Sequence, residues 1–211
     1  MYLQLALDRL GIEECFIIVE EIQEYIDWIE IGTGTIKEYG MEIIREMKRR
    51  YPHKVIVADM KTCDAGAHET RQALEAGADI TTVMAFAADK TIQDSISVAS
   101  SLQKRVMVDL LGVSNKNRIS ELVTLGVDLV SLHIGKDMQQ TGIFNTEIFS
   151  LVKEHSQINV AVAGGVTLDT LPSIIKEKPL TVIVGGALTQ HSNRKEIARE
   201  MKGMMDNEIY R

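Results

Sequence analysis

The chain has 211 residues, 45% of them hydrophobic, which suits a single globular domain predicted here to span residues 1–211. Its 23 Lys and Arg against 30 Asp and Glu give a formal net charge of -7, which disfavours binding to nucleic acid or to an anionic membrane surface. The sequence has two cysteines, begins without a charged-then-apolar leader and has no apolar stretch long enough to span a membrane. These features predict a soluble protein of the reducing cytoplasm.

Short apolar runs alternate with longer segments of helical periodicity along the chain. Most of these runs are continuously apolar, as expected of parallel strands that are covered on both faces. The predicted strands are residues 3–8, 28–32, 55–59, 80–84, 106–110, 129–134, 160–163 and 182–184. The predicted helices are residues 12–24, 35–50, 67–75, 91–101, 116–125, 146–155, 169–177 and 194–205.

Eight strand–helix pairs predict an α/β protein, specifically a single-domain (β/α)8 TIM barrel. About 26 residues are available for each pair, which accommodates a strand, a three-turn helix and two short loops. A doubly wound open sheet stays an alternative, because alternation alone does not show that the sheet closes.

Ionisable side chains end five of the eight predicted strands, at the end where barrels of this kind carry their catalytic groups. A carboxylate that follows buried apolar residues requires a cation, a metal ion or another carboxylate nearby, so the set predicts one shared site. For Asp8 alone, capping of the following helix is an equal alternative. In chain order the strand ends are Asp8, Glu30, Asp59 followed by Lys61, Met84, Asp109, His133, Gly164–Gly165 and Gly185–Gly186.

The densest group of charges is Asp59-x-Lys61-x-x-Asp64. Asp59 and Lys61 lie two residues apart on a segment predicted to be extended, so both side chains should project to the same side. The ammonium of Lys61 could then donate a proton or stabilise a developing enolate, while a neighbouring carboxylate binds a divalent cation. A structural network of ion pairs is the alternative interpretation.

Glu30, Asp59 and Asp109 offer oxygen ligands without cysteine or clustered histidine, which favours Mg²⁺, or Mn²⁺, over zinc. His133 is the one histidine of five at a predicted strand end, and we predict that it is a general base.

The Gly164–Gly165 and Gly185–Gly186 pairs follow strands seven and eight, where barrels often bind phosphate through backbone N–H groups. The basic residues of the last helix, among them Arg194 and Lys202, are expected on a solvated face.

Several motifs in fixed order resemble the 3-hexulose-6-phosphate synthase group of the orotidine-phosphate decarboxylase suprafamily. The resemblance runs essentially from end to end of the chain. The motifs are residues 6–8 (Ala-Leu-Asp), 29–33 (Ile-Glu-Ile-Gly-Thr), 58–66 (Ala-Asp-Met-Lys-Thr-Cys-Asp-Ala-Gly), 108–109 (Val-Asp), His133, 161–165 (Ala-Val-Ala-Gly-Gly) and 183–186 (Ile-Val-Gly-Gly).

The resemblance implies a homodimer with active sites at the subunit interface, in which Glu30 and Asp59 hold Mg²⁺ and Asp64 serves the partner's site. It also implies the reversible aldol addition of formaldehyde to D-ribulose 5-phosphate through an enediolate. In that scheme His133 removes the C1 proton and Lys61 stabilises the enediolate.

A sister group, the 3-keto-L-gulonate-6-phosphate decarboxylases, uses similar enediolate chemistry and is the main alternative. Those decarboxylases typically have Glu, Thr and Arg where this chain has Asp109, Ala163 and Gly186, so these three positions favour the synthase. Lys136 stands where the decarboxylases carry Arg, and Ile134 replaces a Thr usual in synthases. We therefore predict that Lys136 and Ala163 determine substrate specificity. A non-catalytic barrel that binds a sugar phosphate is the second alternative.

Overall fold

The computed structural model describes residues 1–139 and 144–209. Its parallel strands pair in chain order, and the first strand also pairs with the last, which closes a barrel and excludes the open doubly wound sheet. All eight predicted strands are confirmed to within one or two residues, except that β3 runs three residues further. The strands are β1 (Tyr2–Leu7), β2 (Trp28–Ile31), β3 (Val55–Thr62), β4 (Ile80–Met84), β5 (Arg105–Asp109), β6 (Leu129–His133), β7 (Asn159–Ala163) and β8 (Thr181–Val184).

Helices connect successive strands on the outside of the barrel, as the alternating sequence pattern predicts. Among the described helices, none combines the length and the hydropathy needed to span a bilayer. The helices are α1 (Ile12–Ile22), α2 (Thr33–Tyr39), α3 (Glu42–Arg50), α4 (Gly66–Glu75), α5 (Asp89–Ser101), α6 (Lys116–Thr124), α7 (Leu171–Ile175), α8 (Gly186–Thr189) and α9 (Arg194–Ile209).

Two helix predictions were wrong in detail. The helix predicted over residues 35–50 is two helices, because Gly40 ends α2 at a φ of +64°, a conformation that glycine adopts without a steric penalty. The helix predicted over residues 146–155 is a 3₁₀ segment, Thr146–Leu151, started by Asn145, whose side chain accepts a hydrogen bond from Glu147 N. The short helix α8 was not predicted, since four residues are too few to show a helical period.

The alternation of side chains along each strand decides which residues reach the barrel interior. In β1, Leu3, Leu5 and Leu7 pack outward in the larger hydrophobic cluster between sheet and helices, so Gln4 and Ala6 face inward. The inner apolar layer comprises Trp28, Val57, Ile80, Met107, Leu129, Ala161, Ala163 and Ile183. Glu30, Asp59 and Asp109 each lie two residues after a member of this layer, and therefore point inward one level nearer the C-terminal end.

The opposite, N-terminal end of the barrel carries its own aspartates, which directly precede β2, β4 and β6. Asp27 accepts hydrogen bonds from Leu3 N and Lys202 Nζ, both at 2.8 Å. Asp79 accepts from Ile56 N at 2.9 Å, from Lys48 Nζ at 2.8 Å and from Lys104 Nζ. Each aspartate ties the start of one strand to its neighbours, which is the stabilising role expected at this end of a barrel.

The expectation that the basic residues of the last helix form a solvated face was wrong for two of them. The Lys202 side chain is only 23% exposed and reaches Asp27 across the barrel end. Arg194 binds Glu21 at 2.7 Å and donates to the carbonyl oxygens of Leu188 and Thr189 at the end of α8. Long basic side chains on one helix can thus fix strands and loops that are distant in sequence.

Candidate active site

A cavity of about 730 Å³ opens at the C-terminal ends of the strands, and every strand contributes to its wall. The structure places all predicted site residues but one in this wall. The exception is Asp64, which lies outside the cavity of its own chain. The predicted residues that line the cavity are Asp8, Glu30, Asp59, Lys61, Asp109, His133, Lys136, Ala163, Gly164, Gly165, Gly185 and Gly186.

A second cavity, of about 620 Å³, lies at the opposite end of the barrel beside the starts of β7 and β8. Lys153 and Glu177 form an ion pair at its edge, with the nitrogen and oxygen 3.6 Å apart. Buried charges converge instead at the C-terminal cavity, where side chains such as Asp59 and Asp109 are almost fully covered. We therefore take the C-terminal cavity as the candidate active site.

Lys61 reaches Asp59 because the end of β3 is bulged. The register between β3 and β4 shifts between Ala58 and Thr62, and Lys61 adopts a φ of +49°. The Lys61 N–H donates to Thr82 Oγ1 at 2.8 Å instead of to a strand carbonyl. The predicted proximity of Asp59 and Lys61 is confirmed, but the reason given for it was wrong, since the segment is not regularly extended.

The ammonium of Lys61 lies between two carboxylates, 2.9 Å from an oxygen of Asp59 and 2.8 Å from Asp109 Oδ2. Burial lowers the pKa of Lys61, but the charges of Asp59 and Asp109 and their hydrogen bonds outweigh it, so the pKa lies above its ordinary value. Lys61 is therefore a fixed positive charge at neutral pH. Thr33 Oγ1 and Thr82 Oγ1 donate to the two oxygens of Asp59 at 2.9 and 2.8 Å and hold that carboxylate in place.

Asp109 and His133 form a hydrogen-bonded pair on neighbouring strands, with His133 Nδ1 3.0 Å from Asp109 Oδ2. Burial acts to raise the pKa of Asp109, but the hydrogen bond from His133 and the charge of Lys61 prevail, so its pKa is lowered. Asp109 is thus an acceptor, which assigns the ring proton of His133 to Nδ1 and leaves a lone pair on Nε2. This arrangement is that of a histidine base oriented by a carboxylate.

Glu30 differs from the other two carboxylates in its partners. Among the described residues, its side chain accepts a hydrogen bond from Gln4 Nε2 and from no other group. Its pKa is raised to about 8, first by burial and then by the charge of Asp59, against the lowering effects of Lys61 and of the Gln4 hydrogen bond. Among the described residues, Glu30 therefore has no basic side chain as an ion-pair partner.

The buried part of the cavity therefore holds three carboxylates, Glu30, Asp59 and Asp109, near the ammonium of Lys61. Mg²⁺ is commonly held by one or two carboxylates while water and substrate oxygens complete its octahedron. Glu30 and Asp59 project from neighbouring strands into one cavity, and a cation bound there would give Glu30 the positive partner that it lacks, so the two residues fit Mg²⁺ or Mn²⁺. Within residues 1–139 and 144–209, no group of three or more His, Cys, Asp or Glu side chains is arranged to hold a metal ion, so the described residues offer a cation two carboxylates and not a closed zinc-type cluster.

Asp8 and Asp64 lie at the edge of the site. Asp8 Oδ1 accepts a hydrogen bond from Gly34 N at 2.8 Å, so this carboxylate caps α2. The alternative interpretation, in which Asp8 caps the following helix α1, was therefore wrong about the helix. Its other oxygen lies 3.2 Å from Arg9, a cavity residue that the sequence interpretation missed. Asp64 is exposed on the loop after β3, where it accepts from Ala65 N at 2.8 Å.

The two glycine pairs form one side of the cavity, after β7 and β8. Gly164 and Gly165 have φ values of +98° and +71°, and a Cβ on Gly164 would lie 2.1 Å from the carbonyl oxygen of Ile134. A side chain at position 164 would therefore clash with the backbone, so only glycine fits there. Gly185 and Gly186 begin the short helix α8, so this side of the cavity has the form of the phosphate sites that recur in barrels.

The candidate specificity residues are on the cavity wall as well. Lys136 is exposed and begins a 3₁₀ turn, Lys136–Met138, after β6, while Ala163 lies opposite His133 in the register of β6 and β7. Ile134, the other departure from the synthase pattern, packs against the outer core and is absent from the wall. In β4 the residue that lines the cavity is Thr82, whereas the terminal Met84, which has the same parity in the strand, is buried and absent from the wall.

Comparisons with known proteins agree with this geometry. A profile of the "Orotidine 5'-phosphate decarboxylase / HUMPS family" matches residues 1–201. A 3-hexulose-6-phosphate synthase of Bacillus subtilis is 39% identical over 207 residues, which cover 97% of this chain and 99% of that protein.

Solved structures show the same fold. A 3-hexulose-6-phosphate synthase from Salmonella typhimurium superposes with a TM-score of 0.94 at 32% identity, covering 99% of this chain and 100% of the other. A 3-keto-L-gulonate-6-phosphate decarboxylase from Vibrio cholerae superposes with a TM-score of 0.86 at 26% identity, covering 98% of this chain and 97% of the other.

Proposed function

The chain belongs to the orotidine 5'-phosphate decarboxylase / HUMPS family, and from this premise we propose that it is a 3-hexulose-6-phosphate synthase. The enzyme would be a carbon–carbon lyase, an aldehyde-lyase that reversibly adds formaldehyde to D-ribulose 5-phosphate. The observation that carries the proposal is the full-length similarity to proteins of that name, which exceeds the similarity to the decarboxylase in the same structural comparison.

The proposed reaction begins at His133. Its Nε2 lone pair removes a proton from C1 of ribulose 5-phosphate, since Nδ1 is engaged with Asp109. The electrons of the C1–H bond form a C1–C2 double bond, and those of the C2 carbonyl move onto its oxygen, which gives an enediolate. The charged ammonium of Lys61 stabilises this oxygen electrostatically.

The second step forms the carbon–carbon bond. C1 of the enediolate attacks the carbon of formaldehyde, the C2 carbonyl is restored, and the former formaldehyde oxygen takes up the proton that His133 had accepted. Mg²⁺ held by Glu30 and Asp59 would supply positive charge next to the ketose oxygens. The backbone N–H groups of Gly164, Gly165, Gly185 and Gly186 would bind the phosphate, which explains how an acidic protein could hold an anion.

A paired assay on one preparation tests this proposal. With Mg²⁺ present, formaldehyde should disappear in the presence of ribulose 5-phosphate much faster than carbon dioxide is released from 3-keto-L-gulonate 6-phosphate. Removal of divalent cations with EDTA should reduce the aldol rate by about 100-fold or more, and added Mg²⁺ should restore it. Faster decarboxylation than aldol addition would contradict the proposal.

The decarboxylase is the second candidate because Lys136 places a positive charge on the cavity wall. If Lys136 binds a substrate carboxylate, Lys136→Gln should reduce decarboxylation by tenfold or more and leave aldol addition within about twofold. Lys90→Gln, on an exposed helix face, is a matched control for loss of one surface lysine. Equal losses of both activities in Lys136→Gln would remove the specific role of this residue.

The third candidate, a non-catalytic barrel that only binds a sugar phosphate, can be tested by measuring proton exchange. The synthase should exchange the C1 proton of ribulose 5-phosphate with solvent deuterium even without formaldehyde, because enediolate formation is reversible. A binding protein should show no exchange under the same conditions.

We also propose a homodimer in which Asp64 completes the partner's site. Asp64 is exposed and lies outside the cavity of its own chain, which supports this arrangement. Mixing equal amounts of unfolded Asp64→Ala and His133→Ala chains and refolding them should restore about one quarter of wild-type activity, since half of the dimers are mixed and each has one intact site. No recovery would show that Asp64 does not act across the interface.

The proposal further places this activity in the cytoplasm, as a step of the ribulose monophosphate pathway. Free Cys15 and Cys63 are compatible with a reducing compartment. Fractionation of the source cells and measurement of formaldehyde sensitivity after gene deletion would test the location and the pathway.

A further inference from the structure

Gln4 is a fully buried amide in the apolar inner layer of the barrel. Its Cα partners in the neighbouring strands are Trp28 and Ile183, both members of the inner apolar cluster. The carbonyl oxygen Oε1 has no hydrogen-bond partner among the described residues. A primary amide is unfavourable here for packing alone, because a buried unsatisfied carbonyl costs free energy that an apolar side chain of similar size would avoid.

Within the part of the chain that the structure describes, the NH2 group of Gln4 has one partner, which is Glu30. Nε2 donates to Glu30 Oε2 in a short contact. By comparison, Asp59 accepts from Thr33, Thr82 and Lys61, and Asp109 has several donors of its own. Among the residues that the structure describes, Gln4 alone restrains the orientation of the Glu30 carboxylate.

We propose that Gln4 is a positioning residue: it holds Oε2 of Glu30 from below and so presents Oε1 to a divalent cation in the cavity. The inference rests on the cation-dependent site of the proposed function. The neutrality of the amide is central to it. A lysine at position 4 would orient Glu30 equally well but would place a positive charge beside the cation, whereas the neutral amide orients the carboxyl group without competing with the cation.

The test is cation affinity of the full chain without substrate, measured by titration with Mn²⁺ and with Mg²⁺. Gln4→Met keeps the length of the side chain and removes the amide. It should weaken Mn²⁺ binding by about 10- to 100-fold, the usual effect of losing a group that orients a metal ligand. The melting temperature without metal should stay close to that of wild type, because the variant removes the unsatisfied carbonyl of Gln4 but also the hydrogen bond to Glu30, and these effects oppose each other.

Thr81→Val is the matched control. Thr81 is also fully buried, lies in β4 and donates to Ala58 O, away from the carboxylates. Its replacement should leave Mn²⁺ affinity within twofold of wild type. If Gln4→Met does not fold, Gln4→Asn withdraws the amide from Glu30 by one methylene and should show the same loss. Wild-type affinity in either folded Gln4 variant would overturn the inference.

A double-mutant cycle shows whether Gln4 acts through Glu30. In a Glu30→Gln background, which itself should bind the cation weakly, Gln4→Met should cause no further loss. An undiminished additional loss would overturn the positioning role, as would a wild-type chain that binds no Mn²⁺ at all. These outcomes are separate from the proposed function: a chain that binds Mn²⁺ through Glu30 and Gln4 but lacks aldol activity would contradict only the synthase assignment.

Discussion

At the N-terminal end of the barrel, Asp79 accepts hydrogen bonds from two lysines and a backbone amide, whereas at the C-terminal end Asp59 and Asp109 share the single ammonium of Lys61. Both ends use aspartates at the boundaries of strands, and both hold them with lysine. The two ends differ in the number of lysines that pair with each aspartate. Carboxylates that are fully paired with lysines stabilise the closed sheet, while carboxylates in excess of the lysines can bind a cation.

The largest expected effect on turnover is that of His133→Asn, at the C-terminal end of the barrel. The amide of asparagine can still donate to Asp109, so the fold should be preserved, but the base is lost. We expect kcat to fall by about 10²- to 10⁴-fold with little change in melting temperature. The measurement is aldol turnover together with C1 proton exchange. Exchange at the wild-type rate would show that His133 is not the base.

Asp79→Asn tests the N-terminal end of the barrel, and it should lower stability while leaving turnover nearly unchanged. The substitution leaves Lys48 and Lys104 without their negative partner, and the Asp79 side chain is only 21% exposed, so the free energy of unfolding should fall by about 2–4 kcal/mol. The kcat of the folded enzyme should stay within twofold of wild type. Urea denaturation and turnover, measured on the same sample, check both. A large loss of turnover without a loss of stability would contradict the division between the two ends.

The contribution of Asp79 to stability should depend on pH. Burial acts to raise the pKa of Asp79, but the hydrogen bonds from Lys104, Lys48 and Ile56 N prevail, so the folded pKa lies below the ordinary value. The stabilisation is then fully present above the unfolded pKa of about 3.9 and is lost as pH falls through the lower folded pKa. The difference in melting temperature between wild type and Asp79→Asn should be constant from pH 6 to 8 and shrink below about pH 4. A difference that is unchanged at pH 3 would contradict this.

The smallest expected effect is that of Asp128→Asn. Asp128 precedes β6 as Asp79 precedes β4, but its side chain is 61% exposed and, among the described residues, forms an ion pair only with Arg105. Because an exposed ion pair contributes little, the free energy of unfolding should change by less than about 1 kcal/mol. A loss as large as that of Asp79→Asn would show that position before a strand, and not burial of the charges, decides the contribution.

Much of the fold and the membership of the site could be predicted from the sequence because both depend on local patterns. Apolar runs gave the strands, and a charge directly after such a run marked the C-terminal end. The positions of Glu30, Asp59, Asp109 and His133 in one cavity follow once the strands are parallel and the sheet closes. The break of a helix at Gly40 could also have been anticipated, since glycine often ends helices.

The features that were missed depend on contacts between residues distant in sequence. The bulge at Lys61 is fixed by Thr82, 21 residues later, and the partner of Lys202 is Asp27, 175 residues earlier. No local pattern indicates such pairs. Gln4 looked like an ordinary polar residue in a strand, and only the register of β1 and β2, with Ala6 opposite Glu30, shows that it lies beneath the carboxylate.

The left-handed backbone of Lys61 has a consequence for how this sequence can drift. At a φ of +49° almost any side chain is disfavoured, and glycine would relieve the steric penalty. Glycine alone would nevertheless destabilise the fold, because it would leave the buried carboxylates of Asp59 and Asp109 without their cation, which costs more than the backbone strain. Descendants of this chain that have lost activity should therefore change positions 59, 61 and 109 together, so that an alignment of relatives would show the three positions diverging as a set.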